Sequence, residues 1–113
     1  MEIKIESPHV TLNAKLNDFI MEKVIKLEQH DERLIRSAVC MKIDNSSTDN
    51  NKVCEIRVVG PQHNLFAAKR SSTFEESVVE TVQAIEKQLR KQKTKNEKGK
   101  DKIEVADTEE GEE

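Results

Sequence analysis

The residues of this 113-residue sequence that could support molecular recognition are basic, and they are concentrated late in the chain. Residues 87–102 contain eight Lys or Arg side chains and two carboxylates, which gives this arm a net charge of +6. Residues 103–113 contain six carboxylates and no basic residue, so a charge of −6 follows directly. The whole chain carries −3, but without the acidic segment residues 1–102 carry +3. The sequence therefore predicts a cationic domain that attracts phosphate groups and an acidic tail behind it.

Aromatic side chains are scarce, which limits the kind of nucleic acid that the basic residues could bind. The chain has no Trp, no Tyr and three Phe residues. Phe19 and Phe74 fall on the apolar faces of predicted helices, so Phe66 alone is left to stack on a base. We therefore expect Lys and Arg to contact the phosphates of a folded RNA, a mode of binding that is selective for shape and sensitive to salt.

Cysteine, histidine and glycine do not form a pattern typical of catalysis or cofactor binding. Strand periodicity predicts that Cys40 and Cys54 project from opposite faces of a sheet, which argues against a disulfide and against a shared metal. The three histidines show no spacing typical of zinc ligands, and the three glycines form no loop for a nucleotide phosphate. The prediction is a protein that is not an enzyme and that binds no metal, cofactor or small-molecule substrate.

Two hydrophobic periodicities alternate along the chain and define the elements that must position the basic residues. Alternating polar and apolar residues predict four strands, at residues 2–6, from Ala38 onward, at 53–59 and at 64–70. Apolar residues at helical spacing predict one helix from Ala14 to about His30, capped by Asn13, and a second from about Phe74 that Ser71, Ser72 or Thr73 caps.

The order of these elements predicts an α+β fold. It is a two-layer β-α-β-β-β-α sandwich, in which a four-stranded mixed sheet carries both helices on one face. We expect a domain over residues 1–95 and a flexible, basic-to-acidic tail over 96–113, disordered in its acidic C-terminal part. No stretch approaches the roughly 18 apolar residues of a membrane span, and the first residues lack the features of a signal peptide, so we expect a cytoplasmic protein without membrane contact.

Two helical phrases resemble the family of ribosome hibernation-promoting factors and ribosome-associated inhibitors (protein Y), which is also catalogued as sigma-54 modulation proteins. The phrases are Lys23-Val24-Ile25-Lys26-Leu27-Glu28 and Ala84-Ile85-Glu86-Lys87-Gln88-Leu89-Arg90-Lys91. Element order and spacing agree with the family over about residues 1–95. The family often has Asp-Met-Tyr at the start of the last helix, where this chain has Thr73-Phe74-Glu75.

The resemblance implies a translation inhibitor that inactivates idle ribosomes in stationary phase or under stress. Such a factor binds the small ribosomal subunit in the channel used by mRNA and by A-site and P-site tRNA, and it would be a monomer off the ribosome. Its helix lysines contact rRNA, and the matching positions here are Lys23, Lys26, Lys87 and Lys91. Local charge adds Arg90, Lys93 and Lys95 to the expected RNA-binding residues.

Other interpretations stay open at this point. A free-standing double-stranded-RNA-binding module also carries helices on one face of a sheet, although its element order begins with a helix. A protein-binding transcription regulator is the other alternative. Two hypotheses concern the acidic tail. The resemblance implies that the tail lies along the mRNA path and opposes ribosome dimerisation. Its charge suggests instead that it folds back on the +6 arm and lowers non-specific RNA binding.

Overall fold

The elements follow the predicted β-α-β-β-β-α order. A computed structural model describes residues 1–46 and 49–98 of the chain, with the side chains of 93–98 excepted. The elements are β1 (Glu2–Glu6), α1 (Ala14–Ile25), a 3-10 turn (Lys26–Gln29), β2 (Arg36–Ile43), β3 (Lys52–Gly60), β4 (His63–Ser71) and α2 (Phe74–Lys98). The acidic tail predicted beyond α2 lies outside the described residues. No helix within the described ranges is long and apolar enough to cross a membrane.

The four strands form one mixed sheet in the order β1-β2-β3-β4. β1 and β2 are parallel because the chain between them crosses over through α1, whereas β2, β3 and β4 are antiparallel neighbours. The β3–β4 connection is a two-residue turn, Pro61-Gln62, in which Gln62 has a φ of 69°. The predicted mixed sheet is confirmed, and β4 lies at its edge.

Both helices pack on one face of the sheet, as the sequence predicts. The buried side chains alternate along β2, β3 and β4 and meet the apolar faces of α1 and α2; the set comprises Val39, Met41, Cys54, Ile56, Val58, Leu65, Ala67, Ile20, Val24, Val78, Val82, Ile85 and Leu89. Burying each of the larger ones stabilises the fold by about 1.5–3 kcal/mol. On the opposite face, Arg57 and Phe66 are exposed to solvent. Cys54 is buried and Cys40 is half-buried on the other side, which confirms the predicted opposition of the two thiols.

Side chains cap both helices at their N-termini. The Asn13 Oδ1 accepts from the Leu16 amide at 2.7 Å, and the Thr73 Oγ1 accepts from the Glu76 amide at 3.1 Å. The first helix is expected to run to about His30, but its α-helical part ends at Ile25 and the last turn is a 3-10 helix. That tighter turn keeps Leu27 fully buried while its short-range bonds satisfy the carbonyls at the helix end.

Candidate nucleic-acid interface

Lys87, Arg90 and Lys91 of α2 line an open groove between this helix and the edge strand β4. Small residues from both elements line it: Ala67 and Ala68 from β4 and Ala84 from α2. Polar and charged side chains form its walls, namely Lys69, Glu80, Gln83, Glu86, Lys87, Gln88, Arg90 and Lys91. Four of these are cations and two are carboxylates, so the groove carries an excess of positive charge.

The apolar face of α2 decides which residues reach this groove. Val82, Ile85 and Leu89 are buried against the sheet and α1. Residues between these positions therefore emerge along the flank of the helix above β4. Lys87 and Lys91 are four residues apart, which puts them one turn from each other on the same side, about 6 Å along the axis. Both are exposed.

Polar contacts hold α2 against the edge strand β4 and its neighbour β3. The Gln88 amide donates to the Phe66 carbonyl at 3.0 Å, which satisfies a backbone acceptor on the edge strand. The Ser77 hydroxyl donates to the Lys52 carbonyl of β3, and the Thr81 Oγ1 donates to the Ser77 carbonyl at 2.6 Å within the helix. The side of α2 that bears the lysines is thus fixed relative to the sheet.

A buried histidine supports the later part of α2. His63, 8% exposed, has its Nδ1 2.6 Å from the Gln92 Oε1 and its Nε2 2.9 Å from the Asp31 Oδ2. The pKa of the Asp31 carboxyl is held well below its usual range, chiefly by side-chain and backbone hydrogen bonds from Arg33 and also by the bond to His63. This network joins the loop before β2, the start of β4 and α2. Sequence reasoning missed it because its members are far apart in the chain and match no motif.

The predicted cations of the first helix lie elsewhere. Lys23 is half-buried, and its Nζ lies 5.3 Å from the centroid of the Phe19 ring, a cation–π distance. Lys26 is exposed in the 3-10 turn. Neither residue lines the groove, so the structure brings Lys87, Arg90 and Lys91 together but does not add Lys23 and Lys26 to that set. Lys93 and Lys95 belong to α2, and their side chains lie outside the described part of the chain.

Lys69 is a groove residue that the sequence prediction omitted. Its signal was the period-two alternation of β4, because Leu65 and Ala67 share its side of the strand and both are buried towards the helices. The residue itself is exposed at the far end of that row. The sequence alone therefore indicates that Lys69 faces the same side of β4 as Leu65 and Ala67. That Lys69 lines the groove follows only once β4 and α2 are known to be neighbours.

The groove presents side chains that can bind anions. An exposed ammonium contacts phosphate oxygens as a point charge, and a guanidinium can donate two parallel hydrogen bonds to them. The Oε2 of Glu86, a groove residue, lies 3.5 Å from the His30 Nε2. Burial raises the pKa of the Cys54 thiol to about 11, which leaves it protonated. Within the described ranges, His, Cys, Asp and Glu form no cluster that could hold a metal ion.

Comparison with known proteins places this geometry in a family. The fold is similar to a ribosomal subunit interface protein from Coxiella burnetii, with a TM-score of 0.74 and 18% sequence identity over 83% of this chain and 99% of that one. It is also similar to the N-terminal domain of Protein Y from Thermus thermophilus, with a TM-score of 0.70 and 15% identity over 80% of this chain and 98% of that one. No curated protein sequence gave a significant match.

The family assignment depends on sequence as well as fold. Residues 3–97 match the family model described as Sigma 54 modulation protein / S30EA ribosomal protein. The match covers all the strands and both helices except the first residue of β1 and the last of α2, and it includes the groove between β4 and α2. The resemblance noted in the two helical phrases is thereby confirmed: the chain belongs to the Sigma 54 modulation protein / S30EA ribosomal protein family.

Proposed function

We propose that this protein is a non-enzymatic ribosome hibernation factor that inhibits translation. It binds the small ribosomal subunit in the channel for mRNA and for A-site and P-site tRNA, and its helix lysines contact rRNA. The observation that carries the proposal is the cationic groove, in which Lys69, Lys87, Arg90 and Lys91 converge from two elements. By this proposal the protein acts in the cytoplasm, on idle ribosomes, as a monomer until it binds.

The family and its solved members support the choice of a ribosomal partner. The matching family model names a ribosomal protein, and one structural relative is described as a ribosomal subunit interface protein. A folded rRNA surface offers phosphates at fixed positions, which suits exposed lysines on a rigid helix. Inhibition then needs no chemistry, because a domain seated in the channel excludes mRNA and tRNA by occupying their space.

Sedimentation of stationary-phase extract through a sucrose gradient tests the choice of partner. We expect the protein to travel with the small subunit and with 70S ribosomes at low salt and to leave them at high salt, because phosphate contacts are screened. If the protein stays with free proteins at the top at every salt concentration, the ribosomal function is wrong. Migration with RNA polymerase would favour the transcription-regulator alternative.

A charge-reversal pair tests the groove. We expect Lys87→Glu with Lys91→Glu to weaken binding to purified small subunits at least tenfold, about 1.4 kcal/mol, with the melting temperature nearly unchanged since both side chains are exposed. The matched control is Lys4→Glu with Lys42→Glu on the helix-free face of the sheet, which changes the net charge equally. Equal loss in both variants would mean that net charge, and not this groove, determines binding.

Competition with double-stranded RNA distinguishes the proposed function from the remaining alternative, a double-stranded-RNA-binding module. A free-standing double-stranded-RNA-binding module would release the small subunit when a simple RNA duplex is added at comparable concentration. We expect a hibernation factor to keep its binding, because only the ribosomal channel matches its whole surface.

A further inference from the structure

The face of the sheet opposite the helices carries an exposed aromatic ring. Phe66 on the edge strand β4 is 45% exposed, whereas Phe19 and Phe74 pack against the core. The main chain of Phe66 is held in place, since its carbonyl accepts from the Gln88 amide, but the residue does not line the groove. A large apolar side chain in contact with solvent adds little to stability. Neither the core nor the groove therefore accounts for this ring.

An arginine and an asparagine side chain are arranged beside this ring. Arg57 lies directly opposite Phe66 in the register of β3 and β4, and its Cζ is 5.0 Å from the ring centroid, a cation–π distance. The Arg57 Nη1 also donates to the Asn64 Oδ1 at 3.1 Å. Because a guanidinium only donates hydrogen bonds, this contact occupies the oxygen of the Asn64 amide and leaves its NH2 group to donate to a ligand. Ring, cation and amide donor are thus in place before any ligand binds.

Ion pairs distinguish Arg57 and Arg36 from other cations on this face of the sheet. Three cations are each paired with a carboxylate, at N–O distances of 3.5, 3.0 and 2.8 Å: Lys4 with Glu6, Lys42 with Glu55, and Arg70 with Asp44. Arg57 and Arg36 are exposed, and neither forms an ion pair with another described residue. Ala38 faces Arg57 across β2 and β3, so Arg36 is the diagonal neighbour of Arg57, about 7–8 Å away. Both guanidinium groups can therefore bind phosphate beside the exposed ring.

We propose that Phe66, Arg57 and Asn64 bind one unpaired base of a single-stranded RNA. The base stacks on the exposed part of the Phe66 ring, the Asn64 NH2 group donates to an acceptor of the base, and Arg57 and Arg36 contact the adjoining phosphates. Every base has a ring face, so the site tolerates many sequences, but bases stacked within a duplex do not reach it. The surroundings of the ring are polar and cationic, which favours RNA over an apolar protein surface. This site lies across the sheet from the groove and does not depend on the ribosomal function.

Tryptophan fluorescence tests the stacking directly, because the native chain contains neither Trp nor Tyr. Phe66→Trp puts a single indole at the site, and we expect a short oligouridylate to quench its fluorescence at low salt as a base stacks on it. The matched control is Ile25→Trp, on α1, where the native side chain is 41% exposed, and its fluorescence should stay unchanged. Equal quenching in both variants would overturn the proposal. Unchanged fluorescence of Phe66→Trp would also overturn it and would favour a protein partner for this face.

A second measurement compares the affinities of two variants of Phe66 for the same oligouridylate. Phe66→Leu keeps an apolar side chain but removes the ring, and it should weaken binding at least about fivefold, the low end of what the loss of one stacked base costs. Phe66→Tyr keeps the ring and should bind as the native protein does. Both should melt near the native temperature, since the position is exposed.

The groove and this site can be separated in the same assay. The ratio between Phe66→Leu and Phe66→Tyr should persist when Lys87→Glu and Lys91→Glu are also present, because the two sites lie on opposite faces of the sheet. Equal affinities of Phe66→Leu and Phe66→Tyr would contradict the proposal. The assay contains no ribosome, so failure of the protein to sediment with ribosomes would refute the ribosomal function and leave this result standing.

Discussion

At the scale of single residues, two buried serines differ in whether their hydroxyl groups have a hydrogen-bond partner. Ser37 on β2 and Ser77 on α2 are both fully buried. The Ser77 hydroxyl donates to the Lys52 carbonyl, whereas the Ser37 Oγ is the one buried side-chain polar atom without a partner among the described residues. A buried hydroxyl without a hydrogen bond costs about 1–3 kcal/mol. The core therefore contains one stabilising and one destabilising serine.

This contrast predicts opposite effects of the same substitution. Ser37→Ala should raise the free energy of unfolding by about 1 kcal/mol, because it removes an unsatisfied hydroxyl, and Ser77→Ala should lower it by about 1 kcal/mol, because it breaks a bond to β3. Urea unfolding of the two variants beside the native protein measures both, and each serves as control for the other. Equal destabilisation by both would show that the Ser37 hydroxyl has a partner in solution.

The hydrogen bonds to the Asp31 carboxylate, chiefly those from Arg33, predict a pH dependence of stability. Because the pKa of Asp31 is lowered in the folded protein, its contribution is complete above the unfolded value of about 3.9 and is lost as the pH falls towards the folded value. Asp31→Ala should lower the free energy of unfolding by about 1–3 kcal/mol at pH 7, and this deficit should shrink progressively below about pH 4. Urea unfolding at pH 7, 4 and 2.5 measures it.

The control for that measurement is the exposed neighbour Glu32. Glu32→Ala should stay within about 0.5 kcal/mol of the native protein at pH 7, as expected for an exposed position. A deficit for Asp31→Ala that is the same at pH 7 and at pH 2.5 would contradict the linkage.

At the scale of elements, α2 has separate faces for folding and for binding. Leu89 is 3% exposed within the core, whereas Lys87, Arg90 and Lys91 beside it are exposed. By the proposed function, stability and recognition therefore depend on adjacent residues of one helix. Substitutions on one face should affect one property and leave the other unchanged.

Leu89→Asp tests the folding face. It places a carboxylate among apolar side chains, so we expect loss of the cooperative thermal transition in circular dichroism, a cost of several kcal/mol. Gln83→Asp, an exposed position of the same helix, should change the melting temperature little. A folded, cooperative Leu89→Asp protein would show that α2 is not packed against the sheet as described.

At the scale of the whole molecule, the distribution of charge matters more than its total. A net charge of −3 would suggest repulsion from RNA, but residues 1–102 carry +3 and the described groove gathers four cations. Attraction to a polyanion depends on this local potential. Binding should therefore respond to salt as a phosphate-contacting protein does, despite the acidic total.

The salt dependence of small-subunit binding measures the number of phosphate contacts. Replacing Lys87 and Lys91 by Gln should reduce the slope of log K against log salt by about 1.5 in magnitude, because each lost phosphate contact accounts for about 0.7–0.9. The control pair Lys4→Gln and Lys42→Gln should leave the slope unchanged. A slope that is equal in all three proteins would show that Lys87 and Lys91 do not contact phosphates.

The sequence by itself determined the order of elements, the Asn13 cap and the opposite faces of Cys40 and Cys54, because local periodicity and side-chain chemistry are enough for these; it left the cap of α2 open among Ser71, Ser72 and Thr73. It also predicted Lys87, Arg90 and Lys91 as RNA-binding residues, since their charges are dense and their helix is strongly amphipathic, and that prediction awaits the binding experiments. The tertiary structure alone decided that Lys69 joins them, that Lys23 and Lys26 lie outside their groove, and that His63 bridges Asp31 and Gln92. These juxtapositions join residues more than 15 positions apart, and only the packing of α2 over β4 and of the loop before β2 brings them together.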